Sequence, residues 1–105
     1  MLRDNRLPRI WSPIAAQDLL DIWDYVASDG SPAVADKQLH EIDRSCFALG
    51  RWPEYGKARD DVRVGLRSVS VSRYEVFYRV TKTAIEIVRV LHERRDVDGI
   101  FSDRD

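Results

Sequence analysis

The stretch from Gly65 to Leu91, GLRSVSVSRYEVFYRVTKTAIEIVRVL, decides the fold of this chain. Three runs dense in Val, Ile, Tyr and Phe are separated by Ser72-Arg73 and by Thr81-Lys82-Thr83, short polar breaks of the kind that close hairpins. The pattern predicts three antiparallel strands. With simple turns the register follows by counting. Across the first turn Val71 faces Tyr74, Val69 faces Val76 and Arg67 faces Tyr78; across the second Val80 faces Ala84, Val76 faces Val88 and Tyr74 faces Val90. One face then carries Val69, Val71, Tyr74, Val76, Val88 and Val90. The other carries Leu66, Phe77, Ile85, Ile87 and Leu91, with a cross-strand ion pair between Glu75 and Arg89 that contributes little if exposed.

Both predicted faces are apolar, whereas an antiparallel sheet with one wet side alternates apolar and polar residues. Each face therefore needs a cover. Upstream, Arg9-Ile10-Trp11 has room for one short strand before Ser12-Pro13, an N-cap followed by the residue best suited to the first helical position. Ala15, Leu19, Ile22 and Val26 then recur at helical spacing with Trp23 beside them, and Asp18, Asp21 and Asp24 fall toward solvent. Asp29-Gly30 stops this helix. Ser31-Pro32 repeats the start signal, Ala35, Leu39, Ile42, Cys46 and Leu49 form a narrow apolar seam, and Gly50 ends it. So short a link folds the two helices into a hairpin, the obvious cover for one face. In the tail, Val97, Ile100 and Phe101 lie on one side of a short turn or helix that covers part of the second face. The apolar surface left over is expected to receive another protein.

The elements give an α+β fold in the order β-α-α-β-β-β, a helical hairpin packed on a small, mainly antiparallel sheet, in one domain over residues 1–105. A single cysteine, Cys46, excludes an internal disulfide and a cysteine-based zinc cluster. The N-terminal MLRDNRLPRI has no apolar core segment and no run approaches the roughly 20 apolar residues of a membrane span, so a cytoplasmic protein without membrane contact is expected. Charge is uneven: residues 1–50 sum to -3, residues 51–95 to +5 and residues 96–105 to -3. Of the 17 basic side chains 14 are Arg, the residue that favours bidentate contacts with carboxylate or phosphate. The cationic half is either a solvated surface balancing acidic helices or a site for an anionic partner.

No strong catalytic signature is present. His40 falls on the polar side of the second helix. His92, at the exit of the last strand beside Arg94 and Arg95, is a candidate base. No His or Cys pair has metal-ligand spacing, no Ser sits in a strand-to-helix elbow, and no Gly-rich phosphate loop occurs; neither metal nor cofactor is expected. What remains is cationic: Arg67, Arg79 and Arg89, one per strand, with Arg67 on the opposite face from the other two, and Lys57, Arg59 and Arg63 in the loop from Trp52 to Asp61 and just beyond it.

These residues resemble the ParE branch of the RelE/ParE superfamily of bacterial type II toxin-antitoxin modules. The likeness is carried by Trp11-Ser12-Pro13 with Ala16, Asp18-Leu19, Ile22 and Tyr25; by Pro53 and Gly56-Lys57-Ala58-Arg59; by Gly65-Leu66-Arg67; by Tyr74-Glu75-Val76-Phe77-Tyr78-Arg79-Val80; and by Ile87-Val88-Arg89-Val90-Leu91-His92 with Asp96. One departure is Glu93-Arg94, where a Gly-Ala-like pair is common. The resemblance implies a RelE/ParE-like fold and a ParD-like antitoxin, encoded beside the toxin, that lays an extended or helical segment over it in a hetero-oligomer. Leu66, Phe77, Ile85, Ile87 and Leu91 are the candidate antitoxin contacts. ParE-like members target DNA gyrase, without sequence-specific DNA binding of their own, and for that contact the candidates are Lys57, Arg59, Arg67, Arg89, His92 and Arg94. RelE-like members cut messenger RNA on the ribosome with a cluster of basic residues and a Tyr or His. In that alternative Arg59 and Arg79 hold phosphate and His92 moves the proton. A third reading is a non-toxic member kept as a binding module.

Overall fold

The computed structural model describes residues 6–102. The elements run β1 (Arg9–Trp11), α1 (Pro13–Asp29), α2 (Pro32–Leu49), β2 (Lys57–Ala58), β3 (Leu66–Val71), β4 (Tyr74–Val80), β5 (Ile85–His92) and α3 (Val97–Ser102). They form an α+β fold: a five-stranded sheet in the order β1-β5-β4-β3-β2, with the helical hairpin on one side. β1 lies parallel to β5 and every other pairing is antiparallel.

Both helices begin where their local chemistry directs. Ser12 Oγ accepts from Ala15 N–H at 3.0 Å and Ser31 Oγ from Val34 N–H at 3.2 Å, each followed by proline at the first helical position. Trp23 Nε1 donates to Asp36 at 2.8 Å and ties the two helices together. The α2 seam of Ala35, Ile42, Cys46 and Leu49 is buried. Its Ile42, Cys46 and Leu49, with Ala15 and Ile22 of α1, pack on Tyr74, Val76, Tyr78, Ile85, Ile87 and Val90. Burial pushes the Cys46 thiol up to about 12, so it stays neutral and is no nucleophile.

The first hairpin has the expected register, Val71 opposite Tyr74 and Arg67 opposite Tyr78. Ser72 takes φ +58°, the left-handed value that the first position of a tight two-residue turn requires. The second hairpin differs. Thr81 Oγ1 accepts from Ala84 N–H at 3.0 Å while Thr81 N–H donates to Ala84 O at 2.9 Å, which draws Ala84 into the turn and sets Val80 against Ile85. A one-residue shift inverts faces, so Ile85 and Ile87 lie on the helix side, opposite their expected place. A β-bulge then inserts Val88, and beyond it Val76 meets Val90 rather than Val88. Val88 moves to the second face, and Val90 and Leu91 return to their expected sides.

The second face is closed by the chain itself. Phe101 joins Leu66, Phe77 and Leu91 in a separate core, flanked by Val62, Val88, Val97 and Ile100. The patch expected to receive an antitoxin is therefore not on the surface: Ile85 and Ile87 lie under the helices, and Leu66, Phe77 and Leu91 lie under α3. Ring centroids of Phe77 and Phe101 are 5.1 Å apart. The physical cause is twofold, a register shift that sends two residues inward and a tail whose apolar side is long enough to cover the other three.

Candidate functional site

β5 is eight residues long, but β1 pairs only along Ile85–Ile87 before Ser12-Pro13 turns the chain into α1. The abandoned edge is taken over by the start of that helix. Ser12 N–H donates to Ile87 O and Ser12 Oγ to Val88 O, each at 3.0 Å. Six residues later the Asp18 carboxylate accepts from Arg89 Nε and Nη2 and from Val90 N–H, all at 2.9 Å. Asp18 thus clamps the bulge from above, and its hydrogen bond raises the Arg89 pKa against the cost of desolvation. Two expectations are corrected here. Asp18 is buried rather than solvent-facing, and Arg89 pairs with it rather than with Glu75, which accepts from Ser68 and Ser70 Oγ at 2.7 Å each.

Beyond the clamp, α1 and the end of the sheet diverge into a cleft of about 430 Å³. Its α1 wall is Asp18, Asp21, Ile22 and Tyr25; its floor is Tyr74, Val90 and His92; Arg94 and Arg95 stand at the mouth. Tyr25 is 67% exposed. Tyr74 lies edge-on to His92 with ring centroids 5.5 Å apart, and burial holds its phenol above the usual range, with Tyr25 adding to the shift. His92 Nδ1 accepts from Arg94 N–H at 3.1 Å. That bond fixes the ring at the β5 exit.

The remaining sequence candidates lie elsewhere. Arg67 donates to Gly56 O at 2.7 and 3.0 Å and to Glu54 O at 3.0 Å. Tyr78 Oη accepts from Gly56 N–H at 2.9 Å and donates to Pro53 O at 2.7 Å. These bonds brace the loop before β2 from within, and a Cβ on Gly56 would come 2.5 Å from the Tyr78 oxygen. Arg67, like Arg89, is a structural residue. Arg59 is held by Asp61 at 3.1 Å and lies over the Phe77 ring at 5.5 Å; its hydrogen bond lowers the Asp61 pKa. Arg79 pairs with Glu86 at 3.4 Å. Lys57 is exposed on the edge strand β2. Among the six target candidates, the cleft gathers only His92 and Arg94.

The constellation for RNA cleavage is not assembled. His92 is paired with Tyr74, five residues along β4 from Arg79, or about 17 Å at about 3.4 Å per residue. Tyr74 and Arg79 also face opposite sides of the sheet. A proton-transfer group and a phosphate cradle must lie within hydrogen-bond reach of one scissile group, and these do not. Among the described residues no group of three His, Cys, Asp or Glu could hold a metal ion, and no helix is long and apolar enough to cross a membrane.

Sequence reasoning missed the α1 wall. A signal was present, because Asp18 falls three residues after Ala15 and four before Ile22, on the buried stripe. A carboxylate at such a position needs a cationic partner.

Residues 9–97 match the family model described as ParE toxin of type II toxin-antitoxin system, parDE. The protein Toxin ParE1 of Mycobacterium tuberculosis is 38% identical over 88 residues, covering 83% of this chain and 90% of that protein. Toxin ParE3 of Caulobacter vibrioides is 32% identical over 80 residues, covering 76% and 80%. Among solved structures, one titled chromosomal ParDE TA system from P. aeruginosa superposes with a TM-score of 0.73 at 23% identity, over 85% of this chain and 98% of that one. At that identity the superposition shows a shared fold.

Proposed function

The chain belongs to the ParE toxin family of type II toxin-antitoxin systems, and from that premise we propose that it acts by binding DNA gyrase and is held inactive by a ParD-like antitoxin. It works in the cytoplasm, where its target is, and it catalyses no reaction of its own. The observation that carries binding over cleavage is the separation of His92 from Arg79: the β4 partner of His92, Tyr74, lies five residues from Arg79 and on the opposite face. His92 and Arg94 instead share a cleft with the exposed Tyr25. An aromatic side chain beside an arginine, rimming an apolar floor, is a common anchor for a protein partner.

Purified protein added to a gyrase supercoiling reaction is expected to stop supercoiling and to accumulate cleaved DNA. Unaffected supercoiling at a tenfold excess over gyrase, together with cut messages in growth-arrested cells, would replace this reading with the ribonuclease one.

A further inference from the structure

Trp52 and Tyr55 are 63% and 73% exposed, yet the backbone that carries them is held from beneath. Trp52 N–H donates to Ala48 O at 3.2 Å and Tyr55 N–H to Trp52 O at 3.0 Å. Between and beside them, Tyr78 Oη fixes Pro53 and Gly56, and the Arg67 guanidinium fixes Glu54 and Gly56. A buried phenol and a guanidinium thus present two aromatic rings to water on a rigid loop, which lowers the ordering cost of any contact they make. The rings line two shallow grooves of about 400 and 250 Å³, one reaching Arg51 and the other Ala48 of α2. The loop leads into β2, at the opposite edge of the sheet from β1 and β5, and shares no residue with the cleft.

Charge narrows the occupant. Arg51 lines one groove, Arg44 stands one turn before Ala48 on α2, and Lys57 follows the loop directly. All three are exposed, and none is in an ion pair among the described residues. Glu54 is the single acid lining either groove. An apolar protein surface would leave these cations without counter-charge. Exposed aromatic rings flanked by free cations match single-stranded nucleic acid instead, with bases on the rings and phosphates on the cations.

We propose that the Trp52 loop is a stacking platform for unpaired DNA, with Trp52 and Tyr55 against bases and Arg44, Arg51 and Lys57 on phosphates. A protein that accumulates cleaved DNA on gyrase must bind the cleaved state more tightly than the intact one. The two states differ in the DNA itself, because a strand break frees bases to unstack. The platform supplies that difference in a sequence-tolerant way. Its role on gyrase rests on the function proposed above; its binding of DNA does not.

The test uses the chain alone with a fluorescein-labelled oligothymidylate of about 12 nucleotides, free and paired in a duplex. Anisotropy is expected to show the single strand bound at least fivefold more tightly than the duplex, with tryptophan fluorescence quenched on binding. Trp52→Ala with Tyr55→Ala is expected to lose at least tenfold in affinity at an unchanged melting temperature. Arg44→Glu with Arg51→Glu is expected to weaken binding and flatten its salt dependence. In the gyrase reaction the aromatic double variant is expected to accumulate less cleaved DNA. No binding up to about 100 μM oligonucleotide, or equal binding of single strand and duplex, overturns the platform and leaves the gyrase reading standing. Gyrase inhibition lost in the aromatic variant, with no oligonucleotide bound by the wild type, overturns it in favour of a protein contact. Oligonucleotide binding by a chain that does not inhibit gyrase supports the platform and removes the gyrase reading.

Discussion

Replacing Asp18 with alanine lowers the stability of the fold by about 3 to 5 kcal/mol, the range for removing one partner of a buried ion pair. The carboxylate holds three donors, two from the Arg89 guanidinium and the N–H of Val90. The two side chains are only 11% and 21% exposed. Without Asp18 a cation is left largely out of water and a backbone donor in the sheet is orphaned. For a domain of this size each kcal/mol moves the melting temperature by about 4 to 8 °C, so a fall of more than 10 °C is expected in thermal unfolding. Asp21→Ala is the control, since Asp21 is exposed and its hydrogen bond is a surface one from Gln17 at 2.9 Å; it should change stability by less than about 0.5 kcal/mol. A loss below 1 kcal/mol at Asp18 would mean that the clamp on the bulge is not a source of stability.

Phe101→Ala is expected to cost about 3 kcal/mol, at the low end for deleting a buried aromatic ring because the site is near the surface. Phe101 is 7% exposed and packs on Phe77, with the Arg63 guanidinium 5.2 Å from its ring and Arg63 Nη2 donating to its carbonyl at 2.8 Å. α3 has six residues, too few to stay helical without tertiary contacts. Losing its anchor should release the helix and bare Leu66, Phe77 and Leu91. Chemical denaturation reads the first effect, and increased binding of a hydrophobic dye by the folded variant reads the second. Unchanged dye binding with unchanged stability would mean that something other than α3 seals that face.

Much of the fold could be read because the deciding signals are local. Ser12-Pro13 and Ser31-Pro32 start helices through their own side chains, and the two-residue turn at Ser72-Arg73 leaves the first hairpin one register. The second hairpin could not be counted, because a threonine hydroxyl recruited Ala84 into the turn and a bulge at Val88 then restored the parity. Neither event has a mark in the alternation of residues. The consequence was large: two of the five residues expected on an open face, Ile85 and Ile87, lie in the helix-facing core. The tail's apolar side was visible at Val97, Ile100 and Phe101, but its fit over Leu66, Phe77 and Leu91 depends on three-dimensional placement. The cleft was half legible. His92 and Arg94 stood out as a lone imidazole among cations, whereas Tyr74 and Tyr25 read as sheet and helix aromatics until the divergence of α1 from β5 brought them together.

The central claim is that this cleft is the working surface of the toxin. It is tested most directly by gyrase supercoiling in the presence of the wild-type chain and of a folded variant carrying Tyr25→Asp and Arg94→Glu. Both side chains are exposed, so the variant should keep its melting temperature. The wild type is expected to inhibit and the variant to require at least tenfold more protein for the same effect. Equal inhibition by the two proteins would contradict the assignment.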